Sequence, residues 1–192
     1  AKVRPDRDSM RVFIITIAAL ALSACGQAAR NSSAGDCAFE TTREIAWPEG
    51  DLTLSAAAQS AGETCAGAEL SLELRAAGGA VLHRVAAPYY ALAFGGEAPA
   101  EPPAVAREEV ERFLAGWVDL RPIRASALPE WREGAAQPGD GALPYRAEIA
   151  RDAYERYRSA NLPALCLAVR VDGVTCIVIE GSAAHAVLGY SE

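Results

Sequence analysis

The 192-residue sequence predicts an α+β domain in which helices pack on an antiparallel sheet. Short strand-like runs joined by turn residues occupy the early and the final parts of the chain. Two stretches with helical spacing of apolar residues lie between them. The expected architecture is one antiparallel sheet, built from N- and C-terminal hairpins, with two helices packed on it. This single domain is expected to span residues 37–192.

The first hairpin is predicted in the early part of the domain. In ELSLELR, Glu69 to Arg75, leucines alternate with polar residues, as in a strand with one buried face. The segment Ala76 to Gly79 supplies turn glycines, and AVLHRVA follows as the returning strand. LTLSA, Leu52 to Ala56, also alternates, and TREIAW, Thr42 to Trp47, adds a further strand.

The middle of the chain predicts two helices separated by a long loop. Apolar residues recur at three- and four-residue spacing over residues 104–120, and acidic residues in the first turns suit the helix dipole. Pro122 prevents continuation of this helix. Residues 121–144 are rich in proline and glycine, which predicts a surface loop. The second helix is expected over residues 145–160.

A second hairpin is predicted near the C-terminus. In ALCLAVRVDGVTCIVIEG, residues 164–181, two apolar runs flank Asp172-Gly173, which is a strong turn signal. The runs barely alternate, so both faces of this hairpin should be covered. The segment Ala183 to Tyr190 predicts a last strand.

An apolar run near the start of the chain has the organisation of an export signal. Met10-Arg11 precedes thirteen mainly apolar residues, Val12 to Ala24, whereas a membrane-spanning helix needs about 20. The run ends in Leu22-Ser23-Ala24-Cys25, which resembles the lipobox of bacterial lipoprotein precursors. The alternatives are an ordinary signal peptide, with Cys25 as a bystander, and a buried helix.

The lipobox resemblance implies a processing pathway. Cys25 would receive a diacylglycerol on its sulfur, residues 10–24 would be removed as the signal peptide, and the new amine would be acylated, with palmitate as the expected label. Residues 25–36 are small and polar and predict a flexible tether. Gly26, in place of an aspartate, favours the outer over the inner membrane. Translation is expected to begin at Met10, so that residues 1–9 derive from an upstream start.

The charge of the chain limits its partners. The sequence carries a net charge of −7, and loss of four basic and two acidic residues with residues 1–24 would bring it to −9. An acidic domain without a basic run is a poor candidate for binding nucleic acid or anionic headgroups. The expected partners are the membrane, through the lipid anchor, and an envelope protein or glycan at its periplasmic face.

The remaining cysteines, Cys37, Cys65, Cys166 and Cys176, predict two disulfides in an oxidising compartment. Proximity in sequence favours Cys37–Cys65 and Cys166–Cys176. A two-residue Asp172-Gly173 turn, however, would place the second pair on opposite faces, and a three-residue turn would leave it diagonal, at about 7–8 Å. That bridge therefore requires a bulge or a different turn, and a longer-range pairing such as Cys65–Cys176 remains open. The absence of CxxC spacing argues against a metal site, and no cofactor is expected.

Few residues point to catalysis. His83 is expected to be a structural histidine, whereas His185, near Ser182, is the better catalytic candidate. Glu130 and Glu133 could form an acid/base pair of the kind used by glycosidases, although a charged loop is the ordinary explanation for them. The sequence contains no G-x-S-x-G elbow and no phosphate-binding P-loop motif.

Aromatic residues near loops indicate a binding surface. The candidates are Tyr89, Tyr90 and Trp131, with Tyr145 and Tyr154, and together with the proline-rich loop they could line a groove for a protein or a glycan. Exposed tyrosine and tryptophan are frequent in binding sites. The alternative is that these rings cover the edge of the core. The sequence therefore favours a non-catalytic binding or accessory module anchored in the envelope, with a hydrolase of cell-wall polymers as the alternative.

Overall fold

The structure is a computed structural model that describes residues 37–50 and 52–191. The predicted start, the signal peptide, the lipidation site Cys25 and the whole tether therefore lie outside the described residues. No helix in the described part of the chain is long and apolar enough to cross a bilayer.

The first sheet is an antiparallel meander in which each strand pairs with the next. Its strands, in spatial and sequence order, are β1 (Phe39–Ala46), β2 (Thr53–Ala61), β3 (Glu69–Ala76) and β4 (Val81–Pro88). Leu70, Leu72 and Leu74 of β3 are buried, as their alternation predicts. Glu73 departs from that pattern: although its face is solvent-facing, its side chain is almost covered and pairs with Arg75 and Arg84.

The second sheet contains the C-terminal hairpin at its centre. Its strand order is β5-β7-β8-β9-β6, and every pairing is antiparallel. The strands are β5 (Ile123–Arg124), β6 (Tyr145–Ala147), β7 (Pro163–Arg170), β8 (Gly173–Glu180) and β9 (Ala183–Ser191).

Two helices connect the first sheet to the second along the chain, and a third lies between β6 and β7 of the second sheet. They are α1 (Tyr89–Phe94), α2 (Arg107–Trp117) and α3 (Arg151–Ser159), with a short 3-10 turn at Ala125–Ala127. The helix predicted over residues 104–120 corresponds to α2. The helix predicted over residues 145–160 begins only at Arg151, because Tyr145–Ala147 pairs with the edge of β9 instead. The helix α1 was not predicted.

The two hairpins lie in different sheets, which corrects the prediction of a single sheet. The sheets share a core in which Leu70, Leu72 and Leu74 of β3 lie in one cluster with Leu165 of β7 and Ile177 of β8. Val110 and Leu114 of α2 belong to the same cluster. If the C-terminal hairpin joined the first sheet edge to edge, it would lie in the plane of that sheet and could not cover its face. Because both faces of the hairpin are buried, packing in a separate sheet against the first is favoured.

The opposite face of the second sheet is covered as well. Cys176 and Val178 of β8 lie there in a second apolar cluster with Tyr154 and Tyr157 of α3 and with Leu128. The prediction that the C-terminal hairpin is buried on both faces is therefore confirmed. The fold is mainly antiparallel sheet. The predicted α+β class, with helices packed on a sheet, is therefore confirmed only in part.

The disulfides are Cys37–Cys65 and Cys166–Cys176, with Cα–Cα distances of 4.9 and 3.9 Å. Cys166 lies directly opposite Cys176 because two features change the expected register. The turn is Val171-Asp172 rather than Asp172-Gly173, and a bulge between Ala168 and Arg170 shifts the pairing by one residue. The two disulfides indicate an oxidising, extracytoplasmic compartment.

Candidate functional site

A narrow apolar cavity lies on the face of the second sheet that points away from the shared core. Its volume is about 250 Å³. The cavity, called here the disulfide groove, is lined by Cys166 and Cys176 together with other residues from the five strands of the second sheet and from the long loop: Ile123, Ala127, Leu128, Pro129, Tyr145, Val174, Leu188, Gly189 and Tyr190. The rings of Tyr145 and Tyr190 lie 6.1 Å apart between centroids. Such a cavity fits one apolar group of a ligand.

A polar cavity of about 370 Å³ adjoins the disulfide groove and shares Val174, Gly189 and Tyr190 with it. The charged side chains of this cavity are paired with side chains of opposite charge. The Arg146 Nε lies 3.3 Å from Glu148 Oε1, and the Arg170 Nε lies 3.2 Å from Asp172 Oδ1. The groove therefore offers a ligand an apolar compartment next to a polar one of balanced charge.

The long loop forms the outer wall of the groove. Side chains of α3 donate hydrogen bonds to main-chain carbonyl groups of this loop. The Tyr154 hydroxyl donates to the Pro129 carbonyl at 2.8 Å. The Arg158 Nε donates to the Leu128 carbonyl at 3.1 Å, and an Arg151 guanidinium nitrogen donates to the Trp131 carbonyl at 3.2 Å. This set of three donors is called the α3 clamp. Since the wall is held before a ligand arrives, binding loses less conformational entropy.

Two further features fix the wall. Gly139 has φ of 96°, and a Cβ at this position would lie 2.9 Å from Tyr145 Cδ2, so only glycine lets the loop close on that ring. The Gln137 Oε1 accepts from the Ala147 amide at 2.7 Å. Burial raises the pKa of Tyr154 to about 12, so its hydroxyl remains a donor at any physiological pH.

The predicted loop residues lie beside the groove rather than in it. Glu130 lines a cavity of about 400 Å³, and Glu133 lines another of about 590 Å³. The two cavities adjoin each other, since both are lined by Arg132 and Asp140, and both carboxylate side chains are exposed. The Trp131 ring packs edge-on against Tyr154, at 5.8 Å, and its Nε1 donates to the Ala135 carbonyl at 2.9 Å. Trp131 therefore supports the α3 clamp.

Tyr89 and Tyr90 lie in α1, not in a loop. Tyr89 is 2% exposed and its hydroxyl donates to Glu109 Oε1 at 3.1 Å. Burial and this hydrogen bond raise the pKa of Tyr89 to about 12. Tyr90 is half-buried against Phe94, with centroids 5.0 Å apart. Tyr89 thus covers the core. Tyr90 is distant in sequence from the residues of the disulfide groove and does not line it.

The catalytic candidate His185 meets a carboxylate at the end of the β8–β9 hairpin. Its Nε2 lies 3.8 Å from Glu180 Oε2, and its ring stacks on Tyr157 at 5.7 Å. The Tyr157 hydroxyl donates to the same Glu180 oxygen at 3.2 Å. Ser182 lies in the adjoining turn and is exposed. None of these residues lines the disulfide groove or its polar neighbour.

His83 is half-buried on the inner face of β4, opposite Leu74, and burial lowers its pKa. This position agrees with a structural histidine. In the described part of the chain, no three His, Cys, Asp or Glu side chains come together as metal ligands would.

The groove residues that sequence reasoning missed are Tyr190 and two donors of the α3 clamp, Arg151 and Arg158, whereas Tyr145 and Tyr154 were among the aromatic candidates. Tyr145 was placed in a helix, so its pairing opposite Tyr190 could not be foreseen. The available signal was the arginine and tyrosine content of α3 beside a long loop, because such side chains can satisfy loop carbonyl groups.

Comparison with known proteins gives no relative: no protein family, curated protein or solved structure matches this chain. The function must therefore be argued from the described residues themselves.

Proposed function

We propose that this chain is a lipid-anchored protein of the bacterial envelope, and that it binds an envelope protein or a glycan in the disulfide groove without chemical turnover. The observation that carries the proposal is the preformed groove, whose floor is the Cys166–Cys176 disulfide and whose wall is held by the α3 clamp. Ordering this loop costs conformational entropy, and support by side-chain donors of this kind is what keeps a binding surface in a fixed shape.

The chemistry of the groove narrows the ligand. An apolar compartment of about 250 Å³ is too small for a folded element and suits a single side chain or one face of a sugar ring. The rings of Tyr145 and Tyr190 provide apolar surface with polar edges. The adjoining polar cavity, with Arg146 and Glu148, would take the polar part of the same ligand.

Location follows from the predicted anchor. Acylation of Cys25 would keep the domain at the periplasmic face of a membrane, with the outer membrane favoured. Two or more acyl chains give stable attachment, whereas one gives only marginal binding. The acidic domain itself is not expected to bind nucleic acid.

Site-specific photo-crosslinking in intact cells tests the binding proposal. Val174 lines both compartments, and a diazirine amino acid of about the size of leucine at this position leaves the apolar compartment open and should capture the ligand. The matched control is Val81, which is 48% exposed on the other sheet. Mass spectrometry of the full-length protein should find an adduct, to a protein or a glycan, from position 174 and not from position 81.

The groove proposal fails if positions 174 and 81 give the same adducts or if neither gives any. A second variant tests shape directly. Val174→Phe would fill the apolar compartment and should abolish the adduct formed by a crosslinker placed at Tyr145. A Val81→Phe variant should leave that adduct unchanged.

The alternative function is a hydrolase of cell-wall polymers, and one observation favours it. The His185 Nε2 and the Glu180 carboxylate approach each other to 3.8 Å. Glu180 also accepts from Tyr157, however, which gives the pair a structural role in joining α3 to the sheet. Release of soluble fragments from purified cell wall by the wild-type protein, and its loss in His185→Ala, would favour the hydrolase.

A further inference from the structure

A second apolar surface lies at one end of the molecule, away from the disulfide groove. Phe94 at the end of α1 is 51% exposed, and Val171 in the β7–β8 turn is 56% exposed. Both line one open cavity of about 560 Å³ with Leu92, Ala93 and Phe113. These five residues are called the apolar tip. Large apolar side chains exposed together mark an interaction surface more often than single ones do.

The apolar tip lies at the end of the first sheet where the chain arrives from its N-terminal segment. Cys37 is bonded to Cys65, and the Ala68 amide donates to the Cys65 carbonyl at 3.3 Å. The Tyr89 amide in turn donates to the Ala68 carbonyl at 2.8 Å. A short series of contacts therefore connects the first described residue to the first residue of α1.

The same series of contacts extends to both exposed side chains. The rings of Tyr89 and Phe94 make an edge contact at 6.0 Å. A Cβ on Gly95 would lie 3.0 Å from Val171 Cγ1, so the β7–β8 turn touches the end of α1. The arrival point of the chain and the apolar tip thus belong to one end of the molecule.

We propose that the apolar tip rests on the surface of the bilayer in which Cys25 is anchored. This inference depends on the lipid anchor of the proposed function. Only eleven residues, 26–36, separate Cys25 from Cys37, and even when fully extended they reach at most about 40 Å. The end that carries Cys37 therefore stays close to the membrane, and the apolar tip is on that end.

The tether also explains why so small a surface can suffice. Two half-exposed side chains bury too little area to recruit a free domain from solution. A short tether turns the contact into an intramolecular one and raises its effective concentration to about millimolar. The exposed Phe94 and Val171 would bury apolar surface at the boundary between headgroups and acyl chains, where such side chains bind favourably.

The charges around the apolar tip indicate which lipid headgroups it would contact. Arg112 and Glu109 line the same cavity, and Arg170 pairs with Asp172. The rim is therefore close to neutral, which suits zwitterionic headgroups such as phosphatidylethanolamine. The occupant we infer is this lipid surface rather than a protein.

Depth-dependent fluorescence quenching tests the inference. Full-length acylated protein is reconstituted in phosphatidylethanolamine–phosphatidylcholine vesicles that contain brominated acyl chains. In Phe94→Trp, the added tryptophan should be quenched at least twofold relative to unbrominated vesicles. The matched control is Val81→Trp: Val81 is comparably exposed but begins β4, whose other end leads into α1, about 23 Å away along the strand. Its added fluorescence should not change.

A second reporter and a tether control make the outcomes distinct. Val171→Trp should behave as Phe94→Trp does, which covers the case in which one variant misfolds. With Cys25→Ser, the tryptophan at position 94 should lose its quenching. Equal quenching at positions 94 and 81 in vesicle-bound protein overturns the lipid contact and leaves the anchor intact. Protein that is not acylated and does not float with vesicles overturns both.

A protein occupant would give a different pattern. Benzoylphenylalanine at position 94 would then form a protein adduct in cells, while Phe94→Trp would stay unquenched in vesicles. That combination would overturn the lipid assignment.

Discussion

At the scale of single residues, the groove depends on side chains that contact main-chain atoms. Tyr154, Arg158 and Arg151 of the α3 clamp each donate to a carbonyl group of the loop. A buried carbonyl that loses its donor keeps the cost of desolvation and loses the hydrogen bond. The shape of the groove is therefore sensitive to changes that lie outside its lining.

Tyr154→Phe should lower the free energy of unfolding by about 1–2 kcal/mol, because the Pro129 carbonyl loses its donor. Urea denaturation measures this change, and hydrogen exchange should show faster exchange in the long loop. Tyr90→Phe is the control, since the Tyr90 hydroxyl has no hydrogen bond within the described residues; its effect should stay below about 0.5 kcal/mol. Equal effects of the two substitutions would contradict the α3 clamp.

Gly139→Ala should be more destabilising than Gly141→Ala. Both glycines have positive φ, so alanine at either costs about 1–2 kcal/mol. Only at Gly139 would the new Cβ meet the Tyr145 ring, and this overpacking adds about 1–3 kcal/mol. Thermal denaturation of both variants gives the difference. If Gly141→Ala is as damaging as Gly139→Ala, the Tyr145 contact is not what requires glycine.

His83 should make the protein less stable in mild acid. Its pKa is lowered by burial, so the unfolded chain binds the proton more readily than the folded one. Above the unfolded-state pKa of about 6.5, His83 is neutral in both states and costs the folded state no stability. As the pH falls below this value, the unfolded state binds the proton first and the folded state loses stability. His83→Gln should lose less stability than the wild type between pH 7.5 and 5, as urea titrations would measure. Identical pH dependence in both proteins would exclude this role.

At the scale of elements, local patterns predicted most strands and missed those that depend on distant partners. The alternation of leucines in β3 and the apolar runs of β7 and β8 are visible in sequence because burial is periodic. The short strand β6 forms only because the edge of β9 is available to Tyr145–Ala147. The helix α1 has six residues, too few to display a period.

The bulge in β7 shows a second limit of sequence reasoning. A shift of one residue between Ala168 and Arg170 decides whether Cys166 can reach Cys176, and nothing local distinguishes the two registers. The requirement for a bulge could be derived from the cysteine positions, but its place in the strand could not. Most of the strand lining of the groove was missed for the same reason, since it comes from all five strands of the second sheet.

The two disulfides should differ in their contribution to stability. Chain-entropy arguments give about 3.6 kcal/mol for Cys37–Cys65, with a sequence separation of 28, and about 2.8 kcal/mol for Cys166–Cys176, with a separation of 10. Paired substitutions, Cys37→Ala with Cys65→Ala and Cys166→Ala with Cys176→Ala, should therefore rank in that order in urea denaturation. The reverse order would mean that native packing around the second disulfide outweighs loop entropy.

At the scale of the whole molecule, two sheets share one core and present two different surfaces. The disulfide groove lies on the outer face of the second sheet, and the apolar tip lies at the end where the chain arrives from Cys25. The sequence predicted the anchor and the compartment, which are local signals. It did not predict that the hairpins separate into two sheets, because both arrangements bury the same residues.

The anchor itself has a direct test. Radiolabelled palmitate should enter the wild-type protein, and Cys25→Ser should abolish its incorporation and release the protein into the soluble periplasmic fraction. Cys37→Ala with Cys65→Ala is a useful control, because those cysteines are disulfide-bonded and should not affect labelling. Labelling that persists in Cys25→Ser would disprove the anchor.

The α3 clamp has one more consequence, for tolerance to sequence change. Because its donors hold carbonyl groups, which every amino acid possesses, the identity of most loop side chains is not constrained by the clamp. A library that randomises positions 132, 133, 135 and 136 should fold as the parent does, provided that α3, Gly139, Tyr145 and Gly134, whose φ is 74°, are kept. The loop could then serve as a display site, on which new specificities are selected beside an unchanged cleft.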